Sequence, residues 1–130
     1  MRLQFGEVQT FVSDLARAKE FYRDLLGLQL CAESPGWLVF DISGVAFVVL
    51  PGGSPAARDR PYGSDCATVL CLRTSSVDRE RARLERHGVR FLTLTKTVPL
   101  GRFAAFQDPD GNLLELIEKD DAEEDAVRDG

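Results

Sequence analysis

A carboxylate stands between aliphatic side chains near the C-terminal end of the chain, in the run NLLELIE at 112–118. Successive side chains of a β-strand point to opposite faces, so Leu113, Glu115 and Ile117 would share one face and the two leucines between them the other. The purely apolar face belongs against a hydrophobic core. On the other face, a carboxylate with apolar neighbours can serve as a general base, bind a basic group or ligate a metal ion.

Histidine and cysteine, the usual partners of a carboxylate in catalytic and metal sites, are scarce, with one His and three Cys. An iron site of two histidines and one carboxylate is therefore excluded within a single chain. His87 precedes Gly88 at the end of a predicted helix, where it is expected to meet the negative end of the helix dipole. Cys31, Cys66 and Cys71 lack C-x-x-C spacing and are expected to be thiols in a reducing cytoplasm.

The acidic charge is concentrated at the C-terminal end. The net charge is −5, and residues 118–130 carry seven acidic and two basic residues, so the rest of the chain is neutral. Residues 119–130 are accordingly predicted to be a disordered acidic tail. The neutral body offers no basic stripe, which argues against nucleic acid as a partner. No apolar run has the length of a signal peptide or a membrane span, so a cytoplasmic protein with no membrane partner is expected.

The order strand, helix and three strands occurs twice. The first copy has strands at 4–12, 28–33, 37–42 and 45–50 with a helix at 13–27; the second has strands at 67–73, 89–95, 101–107 and 112–118 with a helix at 75–88. Ser13 or Asp14 is predicted to cap the first helix, and Ser75 or Ser76 the second. A unit of this kind cannot bury its own sheet face, so two copies imply pairing within the chain or across a dimer.

Two stretches, FVSDLARAKEFYRDLLGL at 11–28 and GRFAAFQDPDGNLLELIE at 101–118, resemble the terminal signatures of the vicinal-oxygen-chelate superfamily. That group includes glyoxalase I, extradiol dioxygenases, methylmalonyl-CoA epimerase and bleomycin-resistance proteins. The resemblance covers residues 4–118 and implies an α+β fold: two paired βαβββ modules that form a curved, cup-shaped mixed sheet. It implies one domain over 1–118, with modules at about 4–50 and 66–118 and a Pro/Gly-rich linker at 51–65. Members of this size usually form homodimers.

The resemblance also locates four inward positions that supply metal ligands in the metal-dependent members. Carried onto this chain, they are Glu7 and Val69 on the first strands and Val48 and Glu115 on the last strands. Only Glu115 matches the family's most persistent ligand, and the valines cannot coordinate a metal. Two carboxylates make a poor zinc or nickel site, and magnesium would bind them weakly. No cofactor is therefore expected, with Glu7 and Glu115 as the remaining candidates for a divalent metal.

The same resemblance implies a small organic ligand inside the cup. The residues expected to line it are Glu7, Gln9, Phe11, Trp37, Val48, Val69, Phe103 and Glu115. Arg73, which shares strand parity with Val69, would reach an anionic ligand at the rim.

Three functional hypotheses follow. The first is a protein that binds a small organic molecule without a tightly bound metal, as in the bleomycin-resistance branch. The second is a lyase, isomerase or related enzyme with a degenerate metal site, or with Glu115 or Glu7 as a carboxylate general base. The third is an accessory or regulatory module that acts as a dimer. The sequence leaves the ligand's identity open.

Overall fold

The computed structural model describes residues 2–52, 68–99 and 101–119, and within them the predicted order of elements is confirmed. The chain forms two compact units, the first of which also includes the turn residues Pro109–Gly111. The first unit contains β1 (Glu7–Val12), α1 (Leu15–Lys19), a π-helical continuation (Glu20–Leu25), β2 (Gln29–Ser34), β3 (Trp37–Ile42) and β4 (Val45–Pro51). The second contains β5 (Leu70–Arg73), α2 (Val77–Arg86), β6 (Lys96–Val98), β7 (Gly101–Gln107) and β8 (Leu113–Lys119).

The two units share one topology. Each has a four-stranded mixed sheet, in the order β1-β4-β3-β2 in the first unit and β5-β8-β7-β6 in the second. The first strand of each unit runs parallel to the last, and the remaining neighbours are antiparallel. A parallel pair needs a crossover connection, and the helix after the first strand begins that crossover in both units. The α+β βαβββ architecture is thus confirmed in each unit.

An aromatic cluster forms the core of the first unit. Phe40 and Phe47 are paired across β3 and β4 and fully buried, and the Tyr22 ring lies 6.0 and 5.1 Å from theirs. Tyr22 reaches this face from the π-helical turn. The carboxylate of Asp14 accepts hydrogen bonds from the N–H groups of Ala16 and Arg17, so Asp14 rather than Ser13 caps the helix.

The apolar face of β8 forms the core of the second unit, as its alternation predicts. Leu114 and Leu116 are buried. Glu118 shares their face, and its carboxylate accepts the N–H of Val77, the first residue of α2, at 2.9 Å. Helix α2 therefore covers this side of the sheet, with Val77 and Leu84 buried beneath it. Ser76 caps the helix through the N–H of Arg79, which selects it over Ser75.

The strand predicted at 89–95 is wrong, because only Phe91 forms an isolated bridge to β7 and the regular strand β6 comes later. One backbone hydrogen bond, from the Leu92 N–H to the carbonyl oxygen of Ala105 at 2.8 Å, is supplemented here by side-chain interactions. The Thr93 hydroxyl accepts the N–H of Ala105, and Arg81 of α2 donates to the Thr93 carbonyl at 2.8 Å. The Arg81 guanidinium also lies 4.6 Å from the centre of the Phe91 ring, so contacts with the helix fix this segment.

Other boundaries shift by a few residues. The strand predicted at 67–73 begins at Leu70, and Val69 lies just before it. Most of the 51–65 connector and almost all of the 119–130 tail lie outside the described residues, so those predictions stay untested. Within the described residues, neither helix is long and apolar enough to cross a membrane.

Candidate functional site

Glu115 lies in the middle of the second sheet, on β8 between β5 and β7. Its face is opposite to that of Leu114 and Leu116, so it points away from α2. The residue is nevertheless only 9% exposed. A carboxylate at this depth needs hydrogen-bond partners, because burying a charge without compensation is costly. A buried carboxylate on the face opposite the helix is the most distinctive feature of the sheet.

The two residues directly beside Glu115 are Cys71 on β5 and Ala105 on β7. Ala105 is fully buried and supplies only a methyl group. Cys71 is exposed, and its Sγ donates to Glu115 Oε2 at 3.8 Å. Cys71 is not among the residues that the sequence predicts for the site. An alignment of the two modules would have identified Cys71, because it occupies in β5 the position that Gln9, a predicted ligand-binding residue, occupies in β1.

Two predicted site residues lie one step further along the same face. Ile117 is paired with Arg73 on one side and Phe103 on the other. Arg73 is exposed and Phe103 half-buried. This face thus carries a buried carboxylate, a thiol, a guanidinium and an aromatic ring on an aliphatic background.

The first sheet also exposes a mixed face opposite its helix. Glu7, Gln9 and Phe11 alternate along β1, and Gln9 Nε2 donates to Glu7 Oε2 at 3.0 Å. Gln9 is paired with Val48 on β4. Phe11 and Trp37 are 50% and 38% exposed, which is unusual for large aromatic side chains. The structure therefore brings four predicted ligand-binding residues, Glu7, Gln9, Phe11 and Val48, onto one surface, and Trp37 shares it by strand parity.

A tightly bound metal does not fit these residues. Val48 and Val69 have no donor atom, so Glu115 and its neighbour Cys71 supply only two donor side chains at this point of the second sheet. Within the described residues, no three His, Cys, Asp or Glu side chains are grouped so that they could hold an ion. His87 caps α2, with Nδ1 2.9 Å from the carbonyl oxygen of Arg83, as its position before Gly88 predicts.

The chain belongs to the Glyoxalase/Bleomycin resistance protein/Dioxygenase superfamily, whose family model matches residues 4–116. The resemblance seen in the two signatures is thereby confirmed.

Among solved structures, the chain is similar to two proteins from Streptomyces sp. CB03234. A glyoxalase/bleomycin resistance protein is 35% identical, with a TM-score of 0.62, over 87% of this chain and 98% of that one. TnmS3, an antibiotic binding protein, is 30% identical, with a TM-score of 0.66, over 92% and 98%. The fosfomycin resistance protein FosX from Listeria monocytogenes is 20% identical, with a TM-score of 0.73, over 91% and 94%, and this likeness shows the fold alone.

Proposed function

We propose that this protein binds a small organic molecule, without a tightly bound metal ion, against the face of the second sheet that carries Glu115. The observation that carries the proposal is the burial of a carboxylate on the side of the sheet opposite to α2. An aliphatic residue at this position would avoid the free-energy cost of removing a charged group from water. Residues that oppose the stability of the fold are typical of functional sites.

The neighbours of Glu115 suggest what the ligand carries. A carboxylate recognises an ammonium, an amidinium or another strong hydrogen-bond donor. Ile117 and Phe103, on the same face, suit an apolar or aromatic body. The proposed ligand is therefore an amphipathic molecule with a basic group. The similarity to TnmS3, an antibiotic binding protein, supports a small organic ligand.

We extend the same proposal to the exposed face of the first sheet, which we argue separately from the contacts within that sheet. The Glu7–Gln9 pair offers a second carboxylate held by a hydrogen bond. The exposed ring of Phe11 offers aromatic surface two to four residues further along β1, and the exposed ring of Trp37 offers more on β3. This combination also favours an aromatic molecule that carries a donor group.

We further propose that the protein acts as a homodimer. The strands β1 and β2 end the first sheet, and β5 and β6 end the second, so each has one described strand as a neighbour. Unpaired strand edges promote association unless they are covered. Light scattering at micromolar concentration is expected to give twice the chain mass, and a monomer throughout would contradict this part of the proposal.

The binding proposal is tested with three compounds that share one ring: 4-nitrobenzylamine, 4-nitrobenzyl alcohol and 4-nitrobenzoic acid. We expect the amine to bind most tightly by calorimetry. Glu115→Gln should lower the affinity for the amine by about tenfold, because a charged hydrogen bond contributes more to binding than a neutral one. Glu20→Gln, at an exposed position of the π-helical continuation, is the matched control and should leave amine binding unchanged.

The metal content of the purified protein tests the proposal that no metal ion is tightly bound. Protein purified without chelator should contain far less than one divalent metal per chain, and EDTA should leave amine binding unchanged. Stoichiometric zinc, nickel or iron that is lost in Glu115→Gln would overturn the proposal and favour a metal-dependent lyase or isomerase instead. Equal affinity for the amine and the acid would refute the assigned ligand class.

A further inference from the structure

Cys71 and Glu115 form a pair that the predicted ligand set does not contain. They are direct partners on the parallel strands β5 and β8, on the same face. We propose that Cys71 is a positioning residue, whose thiol orients the Glu115 carboxylate toward the basic group of the ligand. This inference rests on the proposed function, since it assigns to Cys71 a role at the same site.

The register leaves Cys71 as the donor directly beside Glu115. Of the two residues paired with Glu115, Ala105 has no polar side-chain atom and Cys71 has an S–H donor. The S–H group of Cys71 donates to Oε2 at 3.8 Å, a long hydrogen bond even for a sulfur donor. A glutamate side chain has three rotatable bonds, and ordering them has an entropic cost at the moment of binding. A donor already present in the free protein reduces that cost.

The difference in exposure supports the same role. Glu115 is 9% exposed, whereas Cys71 belongs to the exposed residues. The thiol is therefore the member of the pair that a molecule arriving at this face meets first. A thiol is also a weak donor, so its hydrogen bond holds the carboxylate without neutralising it. An arginine or lysine at this position would form a full ion pair and compete with a basic ligand.

Infrared spectroscopy tests the hydrogen bond in the absence of ligand. The S–H stretching band of Cys71, assigned by its loss in Cys71→Ser, should lie at lower frequency than that of a thiol without a carboxylate acceptor. In Glu115→Gln this band should move to higher frequency, because a neutral amide oxygen is the weaker acceptor. Cys31, which donates to the carbonyl oxygen of Gln29 at 3.8 Å in the first unit, provides the internal control. An unchanged Cys71 band in Glu115→Gln would overturn the inference.

The positioning role is tested by comparison of two substitutions. Cys71→Ser retains a donor and should leave the carboxyl ¹³C chemical shift of Glu115 near its native value, whereas Cys71→Ala should displace it. Affinity for 4-nitrobenzylamine should fall about three- to tenfold in Cys71→Ala and recover in Cys71→Ser, which is the range expected for one hydrogen bond. Cys31→Ala should bind as the native protein does.

The outcomes separate this inference from the binding proposal. If Cys71→Ala and Cys71→Ser leave both the ¹³C shift and the affinity unchanged while Glu115→Gln weakens binding, then Cys71 has no positioning role and the binding proposal stands. If the spectroscopic changes appear but no amine binds, the pair exists and the proposed function fails. Equal loss of affinity in both cysteine variants would indicate steric contact with the ligand and would also overturn the positioning role.

Discussion

Ser13 and Asp110, 97 residues apart in the chain, are joined by a hydrogen bond from the Ser13 N–H to Asp110 Oδ1 at 3.0 Å. Asp110 lies in the DPDGN turn, and Ser13 immediately precedes the cap of α1. Both residues belong to the first compact unit. Asp108 shapes the turn, because its carboxylate accepts the backbone and side-chain N–H groups of Asn112 at 2.8 Å each. Within the first unit, the start of the first helix and the DPDGN turn are thus joined by this hydrogen bond.

Removal of the Asp110 carboxylate should destabilise the fold. Asp110 is only 5% exposed, so Asp110→Ala would leave a partly buried N–H group of Ser13 without this acceptor. We expect the free energy of unfolding to fall by about 1–3 kcal/mol in urea denaturation. Asp110→Asn retains an acceptor oxygen and should lose less. If Asp110→Ala were as stable as the native protein, the hydrogen bond would make no measurable contribution to stability.

The ion pair between Asp78 and Arg102 makes part of the stability depend on pH. Arg102 on β7 donates a hydrogen bond to Asp78 in the first turn of α2, and this bond, aided by the positive charges of Arg102 and Arg81, holds the pKa of Asp78 below its ordinary value of 3.8. A carboxylate with a lowered pKa in the folded state stabilises the fold above the pKa of the unfolded state. That contribution is lost as the pH falls through the lower, folded-state pKa.

Arg102→Gln should therefore raise the pKa of Asp78 toward 3.8 and reduce the loss of stability between pH 5 and pH 2. Carboxyl ¹³C titration measures the first effect, and urea denaturation across that range the second. Arg23→Gln is the control, because Arg23 lowers the pKa of its neighbour Asp24 by the same kind of hydrogen bond in the other unit. It should raise the pKa of Asp24 alone. An unchanged Asp78 titration in Arg102→Gln would contradict the prediction.

Short sequence patterns correctly predicted the buried face of one strand and the starts of both helices. Alternation in LLELI predicted the buried face of β8, and serine or aspartate before an apolar stripe predicted both helix starts. The segment 89–95 has the same alternation but lacks the ladder. Its partner groups come from β7 and from Arg81 on α2, and the Arg81 contacts depend on tertiary packing, which periodicity cannot reveal.

The site shows the same limit. The position of Glu115 on a face with Leu113 and Ile117 follows from the period of two alone. Its neighbour on β5 depends on the register of a parallel pair, which the intervening chain and the packing of α2 determine. Counting from the helix start predicted Val69 as the inward partner, whereas the register places Cys71 there. A shift of two residues keeps the face and changes the chemistry from an aliphatic group to a thiol.

Trp37 gives a direct readout for the first sheet, because it is the only tryptophan in the chain and is 38% exposed. We expect 4-nitrobenzylamine to quench its fluorescence with saturation, since nitroaromatic groups quench indole on contact. Glu7→Gln should lower the affinity for the amine about three- to tenfold. It should not change the weaker quenching by 4-nitrobenzoic acid. Linear, non-saturating quenching with equal slopes for the amine and the acid would indicate collisions with solvent-exposed indole and no binding at this face.

Substitution of Glu115 by leucine separates function from stability. Leucine would complete an apolar row with Leu113 and Ile117 and remove a carboxylate that is only 9% exposed, so the free energy of unfolding should rise by about 1–2 kcal/mol. Binding of 4-nitrobenzylamine at the second sheet should be lost in the same variant, while the quenching of Trp37 on the first sheet should remain. Such a gain in stability with a loss of binding is expected where a residue is retained for function.

Glu118→Leu provides the control on the same strand. Glu118 points to the opposite face, where its carboxylate accepts the N–H of Val77 at the start of α2. Leucine there should therefore lower the free energy of unfolding by about 1 kcal/mol, the typical cost of a lost helix cap. Urea denaturation of the two variants compares them directly. If Glu115→Leu were destabilised as much as Glu118→Leu, the carboxylate of Glu115 would be structural, and its burial would no longer support a binding role.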